Sequence, residues 1–316
     1  MFKKILTPLI LILTILCSLC TPIVSAENKG TTQAAIGQNF EGDGTFINFL
    51  NSLPQKKGEY KSKQRPILLE GAMNVEINKF VHALKNPVVY KVLNYVYVAG
   101  TYKNYPVIVA RTEQGMENAA AVTALAIENF NPIAVINQGT AGGHVADAQI
   151  NSVIIGNKYV NTSAYITEKT PEGAGVKVTP QKMRGTFAYD KDKKTFRLYQ
   201  EYFPDSTLLK IAKEVASSNK NFVTLTGTIT SANTWQNGID HHTYLNETYG
   251  SLCEEMENCA AAQICQSSNV PFIGIRTISN NARLSEIHDI DTGATSQEFV
   301  LLVTEKLIRN IKAGSF

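Results

Sequence analysis

The sequence predicts one three-layer α/β domain, in which helices cover both faces of a β-sheet. From Pro66 onward, short apolar runs that end in glycine or in polar residues alternate with segments of helical periodicity. This alternation continues over roughly 250 residues, which indicates one domain of this class. The 316-residue chain is 44% apolar and 18% charged, as is typical of soluble globular proteins. Its formal net charge of +3 is too small and too dispersed to indicate a nucleic-acid partner.

The first half of this domain divides into alternating elements. PILLEGAM is a short apolar strand that runs into glycine, and a helical pattern follows it through Ile77, Phe80, Val81 and Leu84. VVYKVLNYVYVAGTY and YPVIVARTEQG are typical of paired strands, with GTYKNYP as the turn. MENAAAVTALAIENF is alanine-rich and predicts a helix, and PIAVINQGTAGG is again a strand that ends in a glycine loop.

The second half continues the same pattern. Further strands are predicted for SVIIGNKYV, FVTLTGTIT and PFIGIRTIS, and further helices for residues 206–217, 256–267 and 295–312. Active sites in such sheets lie beyond the carboxyl ends of the strands. The residues that follow ILLEG, AVINQ, TLTGTIT and IGIRTIS are therefore the candidates for a functional site.

The N-terminus predicts a secretory signal peptide over residues 1–26. Two lysines precede an apolar run from Ile5 to about Cys20, and small residues lead to a cleavage site after Ala26. Lipidation at a cysteine of this run is the alternative, but leucine precedes each one where a small residue is expected. We therefore expect a secreted or periplasmic protein with no stable membrane insertion after cleavage.

The remaining chain divides into a lead-in and a domain. Residues 27–66 contain several glycines and lysines and few apolar clusters, which predicts a flexible N-terminal segment, with GTFINFLNSL as a short docked helix. Residues 67–316 form the predicted domain. It contains three cysteines, and the odd number leaves at least one of them without an intrachain partner. In a helix, Cys259 and Cys265 are separated by about 9 Å along the axis, too far for a disulfide, and buried thiols are expected.

Four strand ends carry polar side chains. In GAMNVE, Glu76 lies one turn into a helix that begins at a strand end, and NQGTAGG provides a glycine loop with Thr140, whose backbone amides suit an anion or a sugar hydroxyl. The other candidates are Glu255, Met256 and Glu257 in EEMENCAAA and Arg276, Ser279 and Asn280 in RTISNN. Each residue alone also has a purely structural interpretation, so the prediction of a site depends on the ordered set.

The ordered set GAM..E, INQGTAGG and EMENCAAAQIC...VPFIGIRTIS resembles the 5′-methylthioadenosine/S-adenosylhomocysteine nucleosidases of the nucleoside phosphorylase superfamily. The resemblance extends from about Leu68 to Ile311. It implies a mixed central β-sheet flanked by helices and usually a homodimer. It also implies a small-molecule purine nucleoside as the substrate and no cofactor.

The resemblance assigns roles to individual residues. Glu76 matches the catalytic glutamate, which orients and deprotonates the attacking water. Met256 matches the methionine that lies against the ribose, and Glu257 matches the carboxylate that binds the ribose hydroxyls. Thr140 takes the place of a serine in the glycine loop, and Trp235, in SANTWQNG, falls where the family has an aromatic residue that stacks on the purine. The rest of the implied substrate-binding set is Ala141, Gly142, Gln236, Arg276 and Ser279.

Asn280 departs from the family, which has an aspartate at this position. Cleavage of a ribosyl–purine bond leaves a purine anion, and a protonated carboxyl can give its N7 a proton. The amide of Asn280 donates a hydrogen bond but cannot release a proton. We therefore expect Asn280, as part of the catalytic site, either to shift the base preference toward 6-oxopurine nucleosides or to weaken catalysis.

Two alternatives to a hydrolase remain open at this stage. The first is a nucleoside-binding or storage protein that kept the fold and lost turnover. The second is a phosphorylase, in which arginines hold phosphate, one of them commonly three residues before the serine of the glycine loop. That position is Asn137 here, so water is favoured as the nucleophile. Arg111 is interpreted equally well as a residue near the site or as a surface charge.

Three histidine-containing segments remain. His144 follows the glycine loop, and a surface imidazole is the favoured interpretation. GIDHH and SEIHDID have the composition of metal sites, but neither has helical i, i+4 histidines or a cysteine partner. No metal is therefore predicted, and SEIHDID is expected to form a loop over the base.

Overall fold

An eleven-stranded mixed β-sheet organises the protein. The computed structural model describes residues 44–175, 182–190 and 193–316, which belong to one compact unit beginning at Gln38. The strands are β1 (Gln55–Lys56), β2 (Ile67–Gly71), β3 (Lys85–Val92), β4 (Tyr95–Tyr102), β5 (Tyr105–Arg111), β6 (Ala134–Gly143), β7 (Val153–Asn161), β8 (Tyr165–Ile166), β9 (Lys182–Met183), β10 (Thr186–Asp190), β11 (Thr195–Tyr199), β12 (Glu201–Tyr202), β13 (Thr224–Ser231), β14 (Ser251–Glu255) and β15 (Phe272–Asn280).

Helices pack on both faces of this sheet. They are α1 (Thr45–Ser52), α2 (Asn74–Ala83), α3 (Met116–Phe130), α4 (Ser206–Ser218), α5 (Ile239–Tyr249), α6 (Asn258–Ser268) and α7 (Thr292–Lys312). Apolar residues of α1, α2, α4 and α7 form one core cluster with the sheet. Those of α3 and α6 form a second cluster with it. The predicted three-layer arrangement is therefore confirmed.

Parallel and antiparallel pairs both occur in the sheet, which confirms the mixed sheet that the resemblance implied. The strand order is β1-β3-β4-β5-β2-β6-β14-β13-β7-β12, and β15 pairs with both β6 and β7. Because β14 also joins β13 to β6, the pairings of β6, β15, β7, β13 and β14 form a closed ring. Strand β6 belongs both to this ring and to the open part of the sheet, where it pairs with β2 in parallel.

One predicted strand is in fact a hairpin. VVYKVLNYVYVAGTY does not run as a single strand, because β3 ends at Val92 and β4 begins at Tyr95, and the two pair antiparallel. Leu93 makes the turn with φ 56°, a conformation that is uncommon for leucine, so no glycine marked the turn in the sequence. The predicted turn in GTYKNYP is confirmed, with positive φ at Lys103 and Asn104.

The glycine loop NQGTAGG is also different from its prediction. It continues strand β6 as far as Gly143, because β15 pairs with β6 in parallel through Asn280 and Gly142. The backbone groups of this segment therefore form hydrogen bonds with β15 and with side chains, and they are not arranged as an open loop around an anion.

Other elements were not predicted. They are helix α5, strand β14, the short strand β1 and the short strands β8 to β12 between residues 165 and 202. Within the predicted lead-in, the docked helix is present as α1, whose Phe46 and Leu50 are buried in the core. The predicted signal peptide lies outside the described residues, and secretion stays a prediction. No helix within the described ranges is long and apolar enough to cross a membrane.

The three cysteines of the domain are free and buried. This confirms the prediction for Cys259 and Cys265, and it holds for Cys253 as well. Cys253 lies in β14, whereas the other two lie on α6 facing the sheet.

Gly156 in the middle of β7 provides the first test of the packing. A Cβ at this position would lie 2.4 Å from Tyr159 Cε1 and 2.9 Å from the carbonyl oxygen of Gly274. We expect Gly156→Ala to lower the free energy of unfolding by about 1–3 kcal/mol in chemical denaturation. Gly238→Ala is the matched control, since a Cβ there meets only His241 Cβ at 3.8 Å. Equal stabilities of the two variants would contradict the packing described for β7.

Candidate active site

The carboxylate of Glu76 is held by four hydrogen bonds. Its Oε2 accepts from the backbone N–H groups of Ala72 and Met73 at 2.9 and 3.2 Å. Its Oε1 accepts from the backbone N–H of Thr140 at 2.8 Å and from the Thr140 hydroxyl at 3.0 Å. A Cβ at Gly139 would lie 2.7 Å from Oε1, so glycine is required for this close approach. The anion that the backbone of NQGTAGG binds is therefore the side chain of Glu76.

The four donors to Glu76 differ in their freedom. Three are backbone N–H groups fixed by a helix start or by strand β6, whereas the Thr140 hydroxyl can rotate. Burial raises the pKa of Glu76, and the charge of Arg276 and the hydrogen bonds from Thr140 and Ala72 oppose this effect. The site thus contains a buried carboxylate with a raised pKa, held by three fixed donors and by one donor that can rotate.

A second group of charges surrounds Arg276, which is almost completely buried. Its Nη2 bonds to Oε2 of Glu255 in a close ion pair, lies 3.5 Å from Glu257 Oε2, and donates to Asn137 Oδ1 at 2.8 Å. Burial lowers the pKa of Arg276, but the charges of the neighbouring glutamates outweigh this effect and raise it overall. Arg276 is therefore a permanent cation between carboxylates from different elements.

The two glutamates beside Arg276 have different surroundings. Glu255 Oε2 accepts from the backbone N–H groups of Glu257 and Asn258, both at 2.9 Å, and its Oε1 accepts from the Ser231 hydroxyl. Among the described residues, the donors to Glu257 are the backbone N–H of Gly115, at 3.0 Å from Oε1, and Arg276 Nη2, at 3.5 Å from Oε2. Burial raises the pKa of Glu257, and the charge of Glu255 raises it further. Glu257 is thus the less completely hydrogen-bonded of the two and the better placed to accept from a ligand.

The sequence analysis missed Glu70, which extends this network. Glu70 is fully buried in β2, where its Oε1 accepts from the Thr123 hydroxyl at 2.8 Å and its Oε2 from Asn137 Nδ2 at 3.0 Å. The same Asn137 amide accepts from Arg276 through its oxygen. The signal in the sequence was a charged residue within the otherwise apolar run ILLEG.

Ser279 and Asn280 lie next to the end of β6. The Ser279 hydroxyl is 3.0 Å from Asn280 Oδ1 and 3.3 Å from the carbonyl oxygen of Ala141. This hydroxyl donates to Asn280 Oδ1. The amide NH₂ of Asn280 therefore points away from Ser279 and toward Gly142. A Cβ at Gly142 would lie 3.3 Å from that Nδ2, so the amide packs closely on the strand.

Three other candidate residues lie at the edge of these groups. Trp235 is about half exposed, with its ring edge-on to His288 at 5.7 Å between centroids and its Nε1 donating to Asn237. The backbone oxygen of Gln236 accepts from His242 Nε2 at 2.8 Å. Met256 is half-buried between β14 and α6. The structure therefore brings Glu76 together with Thr140 and Glu257 with Arg276, and it places Trp235 farther out.

The interpretation of His144 as a surface imidazole is wrong. His144 is buried because β14 and α5 cover it: Nδ1 is 3.0 Å from Ser251 Oγ, and the ring stacks on His242 at 4.5 Å. Within the described ranges, no group of three or more His, Cys, Asp or Glu residues is arranged to hold a metal ion.

Arg111 contacts residues near the start of α2. Its Nη1 donates to Asn74 Oδ1 and its Nη2 to Glu113 Oε2, both at 2.9 Å, and its side chain is 16% exposed. The guanidinium is thus paired with a carboxylate, which partly neutralises it.

Comparisons with known proteins agree with this fold. A family model described as the phosphorylase superfamily matches residues 66–312. The 5′-methylthioadenosine/S-adenosylhomocysteine nucleosidase of Geobacillus sp. (strain WCH70) is 28% identical over 247 residues, which cover 76% of this chain and 98% of the relative. The nucleosidase of Shewanella frigidimarina (strain NCIMB 400) is 27% identical over 223 residues, 70% of this chain and 89% of the relative.

Solved structures show the same architecture. The Neisseria meningitidis 5′-methylthioadenosine/S-adenosylhomocysteine nucleosidase in complex with methylthio-immucillin-A has a TM-score of 0.61 and 21% identity, over 77% of this chain and 99% of that one. A futalosine hydrolase mutant of Helicobacter pylori has a TM-score of 0.62 and 22% identity, over 77% of this chain and all of that one.

The buried charge of Arg276 leads to a prediction about stability. Removal of one partner of a buried ion pair typically costs about 3–5 kcal/mol, and we expect a loss of this size for Arg276→Gln in urea denaturation at pH 8. Without the guanidinium, whose charge lowers the pKa values of Glu76 and Glu257, these pKa values rise further in the folded state. The variant therefore loses stability as the pH rises, and its deficit at pH 5.5 is smaller.

Arg197→Gln is the control for this prediction. Arg197 pairs with Asp190 at 2.8 Å, but its side chain is 45% exposed. We expect little change in stability at either pH, because exposed ion pairs contribute little. If Arg276→Gln were as stable as Arg197→Gln at pH 8, the network around Arg276 would not have the energetic role described.

Proposed function

Because the chain belongs to the phosphorylase superfamily, we propose that it is a purine nucleosidase, which hydrolyses the N-glycosidic bond of a purine nucleoside or 5′-thio-nucleoside. The relatives named 5′-methylthioadenosine/S-adenosylhomocysteine nucleosidase support this reaction class. The observation that carries the proposal is the pair of buried carboxylates, Glu76 and Glu257. Glu76 accepts from Thr140 of strand β6, and Glu257 lies 3.5 Å from Arg276, which donates to Asn137 of the same strand.

In the proposed reaction Glu76 acts as the general base. Water takes the place of the Thr140 hydroxyl at Oε1, loses a proton to Glu76, and attacks C1′ of the ribose as the bond from C1′ to N9 breaks. The bonding electrons pass to the purine. A base works best when its pKa lies near the working pH, and burial shifts the pKa of Glu76 in this direction.

Glu257 binds the ribose hydroxyls in this proposal. An ionised carboxylate only accepts hydrogen bonds, and the hydroxyl groups of ribose supply two donors. Burial and the charge of Glu255 raise the pKa of Glu257 to about 8, and the positive charge of Arg276 favours the ionised form that this role needs. Met256 lies next to Glu257 in the chain, and we assign it to the face of the sugar.

The charges around the site favour water over phosphate as the nucleophile. Phosphate is held by charge-assisted contacts from cations. Here Arg276 is bonded to Glu255 and lies 3.5 Å from Glu257, while Arg111 is bonded to Glu113. Each guanidinium is already paired with a carboxylate, which would repel a phosphate dianion.

Asn280 determines which hydrogen bonds the leaving purine can form with the protein. Its amide NH₂ donates to N7 of a 6-aminopurine or to the 6-oxygen of a 6-oxopurine, in which case the amide oxygen accepts from a protonated N7. The 6-amino group of a 6-aminopurine can also donate to the amide oxygen, so both kinds of base pair with both ends of the amide. With a 6-oxopurine, however, the amide oxygen also stabilises a proton on N7, which solvent supplies because the amide cannot. We therefore propose that the base preference is shifted toward 6-oxopurine nucleosides.

A nucleoside-binding or storage protein is the second candidate, and Asn280 favours it. Since an amide cannot protonate the leaving base, the same pocket can bind a nucleoside without cleaving it. Tight binding in calorimetry with no release of base would select this function over hydrolysis.

The proposed function is tested by base release from inosine, guanosine, adenosine and 5′-methylthioadenosine, with and without phosphate. We expect phosphate-independent release from at least one of them. Glu76→Gln should reduce the rate by about 10²-fold or more, since general base catalysis is lost, while the nucleoside still binds. Strict phosphate dependence would instead identify a phosphorylase.

Glu76→Asp is the companion variant, because a glutamine amide at this position would turn its NH₂ toward backbone N–H donors. The shorter carboxylate keeps a base but moves it away from the attacking water. A rate for both variants equal to that of the unchanged protein would remove Glu76 from its proposed role.

The role of Asn280 has its own test. Asn280→Asp restores a group that can protonate N7, and we expect kcat/KM for 6-aminopurine nucleosides to rise by about tenfold or more. The rate with inosine is the internal control and should rise less or fall, because the carboxyl has lost the NH₂ donor to the 6-oxygen. An unchanged ratio of the two substrates would refute the assignment of Asn280 to the base.

A further inference from the structure

Glu70 occupies a place where an acid is costly. Strand β2 is buried along its whole length, and the alternation of side chains directs Glu70, like Leu68, toward the layer of α3 and α6. Both carboxylate oxygens accept from neutral partners, the Thr123 hydroxyl and the Asn137 amide. A buried carboxylate with neutral donors alone is expensive to ionise. An acid at this position is therefore better explained by what it does to its partners than by stability.

Glu70 determines how Asn137 is oriented. An ionised carboxylate can only accept, so Asn137 must direct its Nδ2 to Glu70. Its Oδ1 then faces the opposite side, where Arg276 Nη2 donates to it at 2.8 Å. A flipped amide would direct an NH₂ group at a guanidinium, which also only donates. The acid thus selects the amide orientation that holds Arg276.

The backbone keeps this chain of contacts in line. Glu70 pairs with Asn137 across β2 and β6, and Arg276 pairs with Gly139 across β15 and β6. The side chains of Glu70, Asn137 and Arg276 therefore form a row across the adjacent strands β2, β6 and β15, on the same face of the sheet. Thr123 on α3 closes one end of the row, and Glu255 and Glu257 close the other.

We propose that Glu70 is a positioning residue, which acts through Asn137 to hold Arg276 between Glu255 and Glu257, and whose negative charge strengthens this hold. This inference rests on the proposed nucleosidase function and deepens it. Glu70 does not reach the substrate: its effect passes through the amide and the guanidinium to the residue that binds ribose.

The charged and titratable groups around Glu70 come from several elements. Tyr97 of β4 and Cys265 of α6 face it, and its charge contributes to the raised pKa of each, although burial is the larger cause. The cation that interacts with Glu70 is Arg276 of β15. Arg276 also interacts with the charges of Glu76, Glu255 and Glu257. Burial raises the pKa of Glu70 to about 7, against the hydrogen bonds from Asn137 and Thr123 and the charge of Arg276. Glu70 therefore changes its charge near neutral pH.

Glu70→Gln separates the charge from the hydrogen bonds. The glutamine oxygen can accept from Asn137 and its NH₂ can donate to Thr123, so only the charge is lost. Glu70 carries its charge only above about pH 7, so the loss of this charge can affect the rate only there. We expect kcat/KM of the unchanged protein to change by about twofold or more as the pH passes through 7, and this step to be absent in Glu70→Gln.

Glu254→Gln is the matched control for this variant. Glu254 is a buried glutamate of β14 that lies 3.7 Å from His241. The same substitution there should leave the step near pH 7 as it is in the unchanged protein. A step that persists in Glu70→Gln, or that disappears in both variants, would overturn the proposal.

Glu70→Leu tests the positioning through a measurement that needs no turnover. With its acceptor gone, Asn137 is free to turn, and Arg276 loses a charge-assisted hydrogen bond. We expect the exchange of its side-chain N–H protons, followed by NMR, to accelerate about tenfold. The Glu254→Gln spectrum should not change. Unaltered exchange in Glu70→Leu would overturn the positioning role.

The two readouts also separate the inference from the proposed function. If no purine nucleoside is hydrolysed by the unchanged protein, the nucleosidase proposal fails, while the exchange of the Arg276 protons still decides the positioning role. If Glu70→Leu does not fold, Glu70→Gln still decides the role of the charge through the pH profile.

Discussion

The burial of one cation, Arg276, among carboxylates is the constraint on which the rest of the site depends. A guanidinium removed from water must be compensated by charge and hydrogen bonds, and here the compensation comes from β14, from the start of α6 and from β6. Each contact fixes one of these elements relative to β15. The ends of separate strands are thereby held in one geometry, in which acidic groups remain close together although they repel one another.

Strand β6 is the platform for this geometry. It pairs with β2 and β15 and touches β14 near its end, so residues from all three strands converge along it. Its glycines leave space that other side chains use: Glu76 approaches Gly139, and Asn281 fills the space above Gly143. The segment NQGTAGG is therefore rich in glycine because neighbouring side chains need the room.

The sequence allowed the layers, most of the strands and the family to be predicted, because apolar periodicity and the order of strand-end motifs are local signals. It failed where tertiary contacts decide. Leu93 turns a chain that reads as one strand, and His144 is covered by β14 and α5, two elements that were not predicted. Glu70 was passed over because its partners, Thr123 and Asn137, are 53 and 67 residues away along the chain. The direct contacts of Glu76 with Thr140 likewise depend on how β6 and α2 meet.

The three cysteines carry a consequence for the maturation of the chain. Each is free and enclosed by the core, and burial raises the pKa of every one of the three thiols. Since the thiolate is the reactive form, these sulfurs are protected both by access and by protonation. Within the described residues, the folded chain therefore gains no disulfide from these three cysteines in an oxidising environment, and their burial protects them from mispairing there.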